Sequence, residues 1–306
     1  MISRRNFTKL SLLNFLLLFF SNNLFALNQK NILWKKIPKT GQKISPIGMG
    51  TWITFDVSAT EQNIKKRAEI LKVFFNNHGQ MIDSSPMYGM AETIIGLSLQ
   101  RIQNKNNLFS ATKVWTPFDH HGKKQIKNSF KLWKQSELSL LQVHNLLSYE
   151  KHLETIKKYQ NQKKIRYLGV TTSHGRRHEK LKEIMKNDHL DFVQFTYNIL
   201  DDEAEKYLLP LAQEKKIAVI INRPFQGGHL FKYSNNKKIP KWTKEMGLKT
   251  WSEIYLKFIV SHPAVTCVIP ATTQISHMHE NMQSQYGKLF NVDQRKEVKK
   301  YFKKLV

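Results

Sequence analysis

Short apolar runs alternate with longer amphipathic segments along most of the chain. The runs are rich in β-branched residues and predict strands, whereas apolar residues three or four positions apart predict helices, as in Glu61–Asn77 and Ala204–Lys215. Ala68, Leu71 and Phe75 share one face of the first of these helices. Eight strands are predicted: one near Ile44–Gly50, then Met81–Asp83, Leu108–Lys113, Leu140–His144, Ile165–Thr171, Phe192–Tyr197, Ala218–Asn222 and Thr266–Ile269.

This alternation predicts an α/β fold in which crossover helices connect parallel strands. Eight such units in about 260 residues match a (β/α)8 TIM barrel, which we expect to occupy residues 33–306. A doubly wound sheet is the alternative, but no Gly-x-Gly-x-x-Gly motif follows the first strand. Arg223–Lys249 lacks a strong period and predicts a long loop after strand 7, and Asp293–Leu305 predicts an extra C-terminal helix.

Residues 1–26 differ in character from the rest of the chain. Arg4, Arg5 and Lys9 precede an apolar run over Leu10–Phe20, and the segment contains no acidic residue. A helix of that length rises only about 16 Å, which is short of a hydrocarbon core of ~30 Å. The segment therefore predicts a signal peptide rather than a spanning helix.

The stretch Ser3–Lys9 resembles the bacterial twin-arginine export signal. The resemblance implies that the twin-arginine export machinery is a partner and that the protein is periplasmic or membrane-associated. A non-functional leader would leave it in the cytoplasm. Cleavage is expected after Ala26, with an uncleaved anchor as the alternative because Leu24 is larger than the usual residue three positions before a cleavage site.

The charge of the chain is strongly positive but dispersed. The 306 residues include 49 Lys and Arg against 23 Asp and Glu, which gives a formal net charge of +26. Nucleic acid binding calls for basic clusters with interleaved aromatics, so no nucleic acid partner is expected. Cys267 is the single cysteine, which excludes an intrachain disulfide and a cysteine-based zinc site. We expect a monomer.

One polar residue stands at the end of each of six predicted strands. In a (β/α)8 barrel the active site is built where the strands end. Each residue alone has an ordinary explanation, since a lysine can extend to the surface and a histidine can be a hydrogen-bonded core residue. Their shared position at one mouth favours a site instead. The residues are Asp83, Lys113, His144, Thr172, Gln194 and Asn222.

Tyr88 follows Asp83 by five residues. A free tyrosine has a pKa of about 10, which is high for proton donation at neutral pH. A nearby ammonium lowers that pKa, and Asp83 could hold Lys113 in place for this purpose. Such a tyrosine is suited to donate a proton to a carbonyl oxygen, which His144 would orient. The sequence offers no thiolate nucleophile, metal triad or serine elbow, so these residues point to carbonyl reduction or its reverse, and no metal is expected.

These residues lie within motifs that resemble the aldo/keto reductase family, from about Ile44 to Asn281. The resemblance extends to a bacterial branch of that family with twin-arginine leaders. It implies that Asp83, Tyr88, Lys113 and His144 form the catalytic tetrad. The matching motifs are Gly48-Met-Gly-Thr-Trp52, Ile82-Asp-Ser-Ser-Pro-Met-Tyr-Gly89, Ala111-Thr-Lys-Val-Trp115, Leu141-Gln-Val-His144, Ile165-Arg-Tyr-Leu-Gly-Val170, Ile221-Asn-Arg-Pro-Phe225, Val268-Ile-Pro270 and Glu280-Asn281.

The resemblance also implies a nicotinamide cofactor, usually NADPH, bound in extended form across the barrel mouth. Thr172 and Gln194 would contact its carboxamide, Asn222–Gly228 its pyrophosphate, and Glu280 and Asn281 its adenine. The implied walls of an apolar substrate pocket are Trp52, Met87, Trp115 and Phe118, with ordinary rim packing as their alternative role. The implied cofactor residues are Thr51, Trp52, Thr172, Gln194, Asn222, Arg223, Pro224, Phe225, Gly228, Ala271, Thr272, His277, Glu280 and Asn281.

Three features depart from the family's pattern. Asn222 stands where many members have an aromatic that stacks on the nicotinamide, and Thr172 replaces a frequent Asn. Ala271 and His277 stand where members that prefer NADPH often have Lys and Arg at the 2′-phosphate. Thr272 and the positive charge of the chain could still serve that phosphate, so we expect NADP(H), with NAD(H) as the alternative.

The function expected from these residues is reduction of aldehyde or ketone carbonyls, with hydride from a nicotinamide and a proton from Tyr88. The competing hypothesis is a reductase-like nucleotide-binding or sensory module without turnover. Asn222 favours that alternative, and so does the lack of an evident supply of soluble nicotinamide outside the cytoplasm. Intact Tyr88 and Lys113 favour the enzyme.

Overall fold

Eight parallel strands carry the fold in the computed structural model, which describes residues 31–105 and 107–306. An antiparallel hairpin precedes them, formed by β1 (Lys35–Lys36) and β2 (Lys43–Ile44). The parallel strands are β3 (Met49–Gly50), β4 (Met81–Asp83), β5 (Phe109–Val114), β6 (Leu138–Val143), β7 (Ile165–Thr171), β8 (Phe192–Thr196), β9 (Ala218–Asn222) and β10 (Val265–Val268).

The parallel strands follow one another around the sheet in sequence order, from β3 to β10. The two ends of the sheet meet through the segment before β3. Ile47 forms a parallel bridge with Val268, and the amide of Gly48 donates to the Val268 carbonyl at 2.8 Å. Because the segment that leads into the first strand is bonded to the last strand, the sheet is the predicted (β/α)8 barrel, and the doubly wound alternative is wrong.

Helices connect the strands and form the outer layer. Side-chain caps define where some of them begin: Thr60 accepts from the amide of Asn63, and Asn291 and Gln294 form a capping box. The helices are α1 (Glu61–Asn76), α2 (Ala91–Leu99), α3 (Asp119–Trp133), α4 (Tyr149–Asn161), α5 (His178–Asn187), α6 (Leu208–Glu214), α7 (His229–Ser234), α8 (Lys241–Glu245), α9 (Trp251–Val260), α10 (Ile275–Gln283) and α11 (Val292–Lys303).

The apolar residues of the strands divide into two layers, because successive residues face opposite sides of a sheet. Ile82 and Leu141 belong to the core between the sheet and the helices. Met81 and Leu140, each one position earlier, belong to the cluster that fills the barrel interior. The interior is thus packed with apolar side chains, and polar residues on the same face, such as Asp83, Lys113 and Gln142, lie near the C-terminal ends of the strands.

The hairpin of β1 and β2 closes the barrel at the N-terminal ends of its strands. Ile37 and Ile44 are buried in the interior cluster together with Phe109, at the beginning of β5. The hydroxyl of Tyr167 donates to Gln42 Oε1 at 2.8 Å, which ties the hairpin to β7. A cavity opens at the opposite end of the barrel, where the strands have their C-terminal ends.

The predicted strand near Ile44–Gly50 is wrong as a single element. Ile44 ends β2 of the hairpin, whereas Met49 and Gly50 form β3 of the barrel. Pro46 lies between them and has no N–H to donate, so it interrupts the ladder. The other predicted strands agree with the structure to within two residues at either end.

Two further segments differ from their predictions. Arg223–Lys249 contains the short helices α7 and α8, so it is not one extended loop; its apolar anchors, such as Leu230, are too few to give a visible period. Ala204–Lys215 is divided between a 3-10 turn at Glu203–Glu205 and α6, because Tyr207 leaves helical geometry with φ −138°. The extra C-terminal helix is present as α11.

The predicted signal peptide over residues 1–26 lies outside the described residues. Leu33–Val306 forms one compact unit. Over residues 31–105 and 107–306, none of the helices combines the length and the apolar character needed to cross a bilayer.

Candidate active site

A buried ion pair joins the C-terminal ends of two neighbouring strands. Lys113 Nζ, on β5, lies 2.5 Å from Asp83 Oδ2, at the end of β4, and 2.7 Å from the carbonyl oxygen of Ser84. Gln142 and Gln194 each donate a side-chain N–H to Asp83 Oδ1, at 3.1 and 3.0 Å. These hydrogen bonds offset part of the cost of removing both charges from water.

The turn after β4 presents Tyr88 to this ion pair. Gly89 has φ +54°, and a side chain there would collide with Asp56, whose Oδ1 accepts from the amide of Met90 at 2.9 Å. Glycine is therefore favoured at this turn. As a result, Lys113 Nζ lies 5.1 Å from the centroid of the Tyr88 ring.

Burial and charge act in opposite directions on Tyr88. Burial raises the pKa of its hydroxyl, the ammonium of Lys113 lowers it, Asp83 raises it, and the net result is a raised pKa. The prediction of a lowered tyrosine pKa is therefore wrong in the net result, although Lys113 acts in the expected direction. Burial acts to lower the pKa of Lys113, but Asp83 and Tyr88 raise it above the ordinary value. Tyr88 thus keeps its proton, and Lys113 its charge, at neutral pH.

His144 begins the turn directly after β6, and its ring meets the Tyr88 ring edge to face with 5.7 Å between centroids. Burial, together with the charge of Lys113, lowers the pKa of the imidazole to about 2, so the ring is neutral. Its Nδ1 lies 3.0 Å from the hydroxyl oxygen of Ser85, which also accepts from the amide of Met87 at 3.3 Å. When the Ser85 hydroxyl donates its own proton to Nδ1, the N–H of the neutral ring is on Nε2.

A cavity of about 730 Å³ opens over the C-terminal ends of the strands. Asp83, Tyr88 and His144 line it together, whereas Lys113 is fully buried. A cavity of this size is typical of small-molecule and cofactor sites. Every predicted cofactor residue except Thr172 lines it: Thr51, Trp52, Gln194, Asn222, Arg223, Pro224, Phe225, Gly228, Ala271, Thr272, His277, Glu280 and Asn281.

Thr172 is buried next to the lining residue Ser173. Its Oγ1 has no hydrogen-bond partner in the described part of the chain. A buried hydroxyl without a partner costs free energy unless a ligand satisfies it. The carbonyl of Thr172 accepts from Nδ2 of Asn222 at 2.8 Å, and Oδ1 of Asn222 accepts from Thr196 at 2.7 Å. Asn222, which departs from the family's pattern, is thus fixed by hydrogen bonds to Thr196 at the end of β8 and to Thr172 just after β7.

The predicted substrate walls are only partly brought together. Trp52 and Met87 line the cavity together with Asp83, Tyr88 and His144. Met87 also lines a second cavity of about 790 Å³, which contains Trp115. Phe118 is among the lining residues of neither cavity; it precedes α3 and its ring packs edge to face against His121. The structure therefore does not bring Phe118 to the site.

Several lining residues were not predicted from the sequence. The loop after β7 contributes Ser173, His174, Arg176 and Arg177, and Asn145 follows the end of β6. These residues lie beyond the strand ends, in segments without periodicity, so the pattern of polar residues at strand ends does not identify them. The available signal was two consecutive arginines just after a predicted strand.

The sequence profile of the Aldo/keto reductase family matches residues 46–301 of this chain. The matched region is most of the chain and contains the barrel strands and the whole predicted tetrad. The chain belongs to the aldo/keto reductase family. The predicted family and the predicted class, an oxidoreductase, are thereby confirmed.

Individual relatives are distant. "Aldo-keto reductase YhdN" of Bacillus subtilis is 26% identical over an alignment of 203 residues that covers 61% of this chain and 60% of that protein. "NADH-specific methylglyoxal reductase" of Escherichia coli is 25% identical over 228 residues, 64% of this chain and 69% of that protein. A crystal structure of an aldo-keto reductase from Klebsiella pneumoniae in complex with NADPH matches with a TM-score of 0.74 at 17% identity, over 89% of this chain and 96% of that one. At this identity the structural match shows the shared barrel.

Proposed function

We propose that the protein reduces small aldehydes and ketones to alcohols with NADP(H) as its cofactor. The observation that carries this proposal is the convergence of Asp83, Tyr88, Lys113 and His144 beside one large cavity. Membership of the aldo/keto reductase family and the NADPH complex of the Klebsiella pneumoniae protein support it.

The residues around the cavity fit a nicotinamide nucleotide. Gln194 and the unpaired Oγ1 of Thr172 would hold its carboxamide, and Arg223 would hold phosphate oxygens. Glu280 and Asn281, on α10, would bind the adenine. When bound, NADPH supplies the hydride that the substrate carbon receives.

The chain's own residues hold and place the proton. Tyr88 keeps its hydroxyl proton at neutral pH and donates it to the substrate oxygen. The Lys113 ammonium, fixed by Asp83, stabilises the phenolate that this donation leaves. Neutral His144, with its N–H on Nε2, donates a hydrogen bond to the same oxygen and orients it. Because these groups are fixed and largely shielded from water, they need little reorganisation during the reaction.

Preference for NADP(H) over NAD(H) rests on charge. Thr272 and His277 line the part of the cavity where the family's pattern places the 2′-phosphate. The net charge of +26 favours the more anionic nucleotide. The comparison of initial rates with NADPH and NADH tests this preference, and equal rates would contradict it.

The reductase proposal is tested by following NADPH oxidation with 4-nitrobenzaldehyde. We expect turnover by the unmodified chain and its loss in Tyr88→Phe, which should still bind NADPH by fluorescence. Tyr207→Phe is the matched control, because Tyr207 is exposed and lies outside the cavity lining. Equal turnover in Tyr88→Phe would overturn the role of Tyr88. Tight NADPH binding without turnover across a panel of carbonyl compounds would instead favour a nucleotide-binding or sensory module.

We also propose that residues 1–26 direct export to the periplasm through the twin-arginine machinery. Arg4 and Arg5 stand just before the apolar run, and this route carries folded proteins, which suits a barrel loaded with cofactor in the cytoplasm. Cell fractionation of the full chain should find it in the periplasm with Leu27 at its N-terminus. Replacing both arginines by lysine should retain it in the cytoplasm, and unchanged export of that variant would refute the proposal.

A further inference from the structure

Basic side chains line the same cavity as the catalytic tetrad. His174, Arg176 and Arg177 come from the loop after β7, which we call the basic loop (residues 174–177). Both arginines are exposed to the cavity and to solvent. The family's predicted cofactor contacts do not include any of these three residues.

Arg177 is fixed beside the candidate catalytic histidine. Its Nη1 donates to the carbonyl oxygen of Asn145, the residue that follows His144. The amide of Asn145 in turn donates to Thr171 Oγ1 at 3.1 Å, which fixes this segment against the end of β7. A guanidinium has five N–H donors, so Arg177 keeps donors for a ligand after making this contact.

The two arginine charges have no carboxylate partner in the part of the chain that the structure describes. No carboxylate oxygen of residues 31–105 or 107–306 lies within 4.0 Å of either guanidinium. Glu203, on a nearby turn, faces His178 at 3.9 Å instead. A cavity lined by unpaired cations concentrates anions.

The pKa values of neighbouring groups reflect the positive charge of this region. Burial lowers the pKa of His174, and the charges of Arg223 and Arg176 lower it further, so its imidazole is neutral at neutral pH. Asp201 is the acidic group next to Arg223, where its charge opposes the lowering of the arginine pKa by burial. Asp201, which also lies beside Gly175 of the basic loop, therefore offsets part of the positive charge here, but it forms no ion pair with Arg176 or Arg177.

We propose that the natural substrate is an aldehyde or ketone that carries a carboxylate, and that Arg176 and Arg177 bind this carboxylate. The planar guanidinium matches a carboxylate through two parallel hydrogen bonds. The contact between Arg177 and Asn145 brings this charge near His144, which orients the carbonyl oxygen. The proposal rests on the proposed reductase function and specifies its substrate class.

The phosphates of the nucleotide are the other anions to consider. The residues that the family's pattern assigns to them lie after β9 and β10, in Arg223–Gly228 and at Thr272 and His277. The basic loop follows β7 and is bonded to the segment after β6. Arg177 is therefore bonded to a segment that the family's pattern does not assign to the phosphates, whereas His174 lies close enough to Arg223 for the arginine charge to act on it.

The test uses two aldehydes of nearly the same shape, 4-carboxybenzaldehyde and neutral 4-nitrobenzaldehyde, with the full chain and saturating NADPH. For each variant, kcat/KM for the first is divided by kcat/KM for the second, which cancels effects common to both. In R176Q/R177Q we expect this ratio to fall roughly tenfold or more, since a charge-assisted hydrogen bond is lost. R176K/R177K keeps the charges and should recover part of the ratio.

Two lysines provide the control for net charge. Lys164 and Lys215 are exposed and precede the N-terminal ends of β7 and β9, at the opposite end of the barrel. K164Q/K215Q removes the same number of charges and should leave the ratio unchanged. Raising the salt concentration should raise KM for the carboxylate in the unmodified chain and not in R176Q/R177Q.

An unchanged ratio in R176Q/R177Q, with both aldehydes still reduced, would overturn the carboxylate site and leave the reductase function standing. A loss of NADPH affinity in that variant with an unchanged ratio would assign the arginines to the nucleotide and also overturn the proposal. Absence of turnover of both aldehydes by the unmodified chain would refute the reductase function itself.

Discussion

The hydroxyl of Ser85 lies 3.0 Å from Nδ1 of His144, so the two groups share one hydrogen bond. Ser85 already accepts a hydrogen bond from the amide of Met87, so its own proton is available for Nδ1. A neutral imidazole that accepts at Nδ1 must donate from Nε2. A Ser85 hydroxyl that donates to Nδ1 is predicted to act as a positioning residue through His144.

Ser85→Ala should reduce kcat with 4-nitrobenzaldehyde by roughly tenfold, because the imidazole loses the partner that selects its tautomer. Affinity for NADPH should be unchanged. Ser85→Thr keeps a hydroxyl and should recover most of the activity. Nitrogen NMR of histidine-labelled protein should show the proton on Nε2 before the substitution and a mixture after it. An unshifted tautomer in Ser85→Ala would contradict the role of Ser85.

The Asp83–Lys113 pair predicts a non-additive effect on stability. Asp83→Asn leaves the buried Lys113 ammonium without its carboxylate, so it should lower the free energy of unfolding by about 3–5 kcal/mol. Adding Lys113→Met should restore part of this loss, because the unpaired charge is then gone. Urea unfolding of the two single variants and the double variant measures the coupling. Glu154→Gln, at the exposed pair with Lys158, should have a much smaller effect, and additive losses at Asp83 and Lys113 would be inconsistent with a coupled pair.

The lowered pKa of His144 predicts that the fold loses stability in mild acid. Between the ordinary pKa of 6.5 and the folded value of about 2, the unfolded chain binds a proton at His144 and the folded chain does not. The contribution of His144 to the free energy of unfolding is therefore present above pH 6.5. It falls as the pH is lowered, and about 1.4 kcal/mol is lost one pH unit below that value.

His144→Gln should remove this part of the pH dependence. Urea unfolding at about pH 7.5 and about pH 5.5 compares the two proteins. His262, whose pKa burial lowers to about 4, adds a similar dependence to both and cancels in the difference. The same slope in His144→Gln as in the unmodified chain would mean that His144 is not held neutral by the fold.

The close approach of α2 and α3 depends on Gly96. An added Cβ at this position would overlap the backbone carbonyl oxygen of Leu132. Gly96→Ala should therefore lower the free energy of unfolding by more than about 2 kcal/mol, although alanine is favoured over glycine in a helix by about 1 kcal/mol. Thr93→Ala, at a half-exposed position of the same helix, is the control and should change stability little. A neutral Gly96→Ala would show that the two helices can separate at low cost.

The barrel could be predicted because its determinants are local and repeated. Each apolar run followed by a helical period indicates one strand and one helix, and eight repeats specify the closed sheet. The hairpin before the barrel could not be predicted in this way. Its strands are only two residues long, and Ile37 and Ile44 are buried by contacts with strands that are remote in sequence.

The site could be predicted where a polar residue ends an apolar strand, as for Asp83 and Lys113. The groups that complete it were missed because their roles depend on three-dimensional contacts. Ser85 and Gln142 are ordinary polar residues in the sequence, and only the fold brings them to His144 and Asp83. The raised pKa of Tyr88 also could not be predicted from the sequence, because it depends on how deeply the fold buries the hydroxyl.

The hairpin of β1 and β2 also defines where the protein can be shortened for laboratory production. The match to the family's sequence profile begins at residue 46, after both strands of the hairpin. A fragment that begins at residue 46 would lack Ile37 and Ile44, which cover the apolar interior of the barrel at the N-terminal ends of its strands. Phe109 and its neighbours would then meet water, and the fragment should aggregate. Removal of only the first 26 residues keeps the hairpin, and with it the cover over the barrel interior.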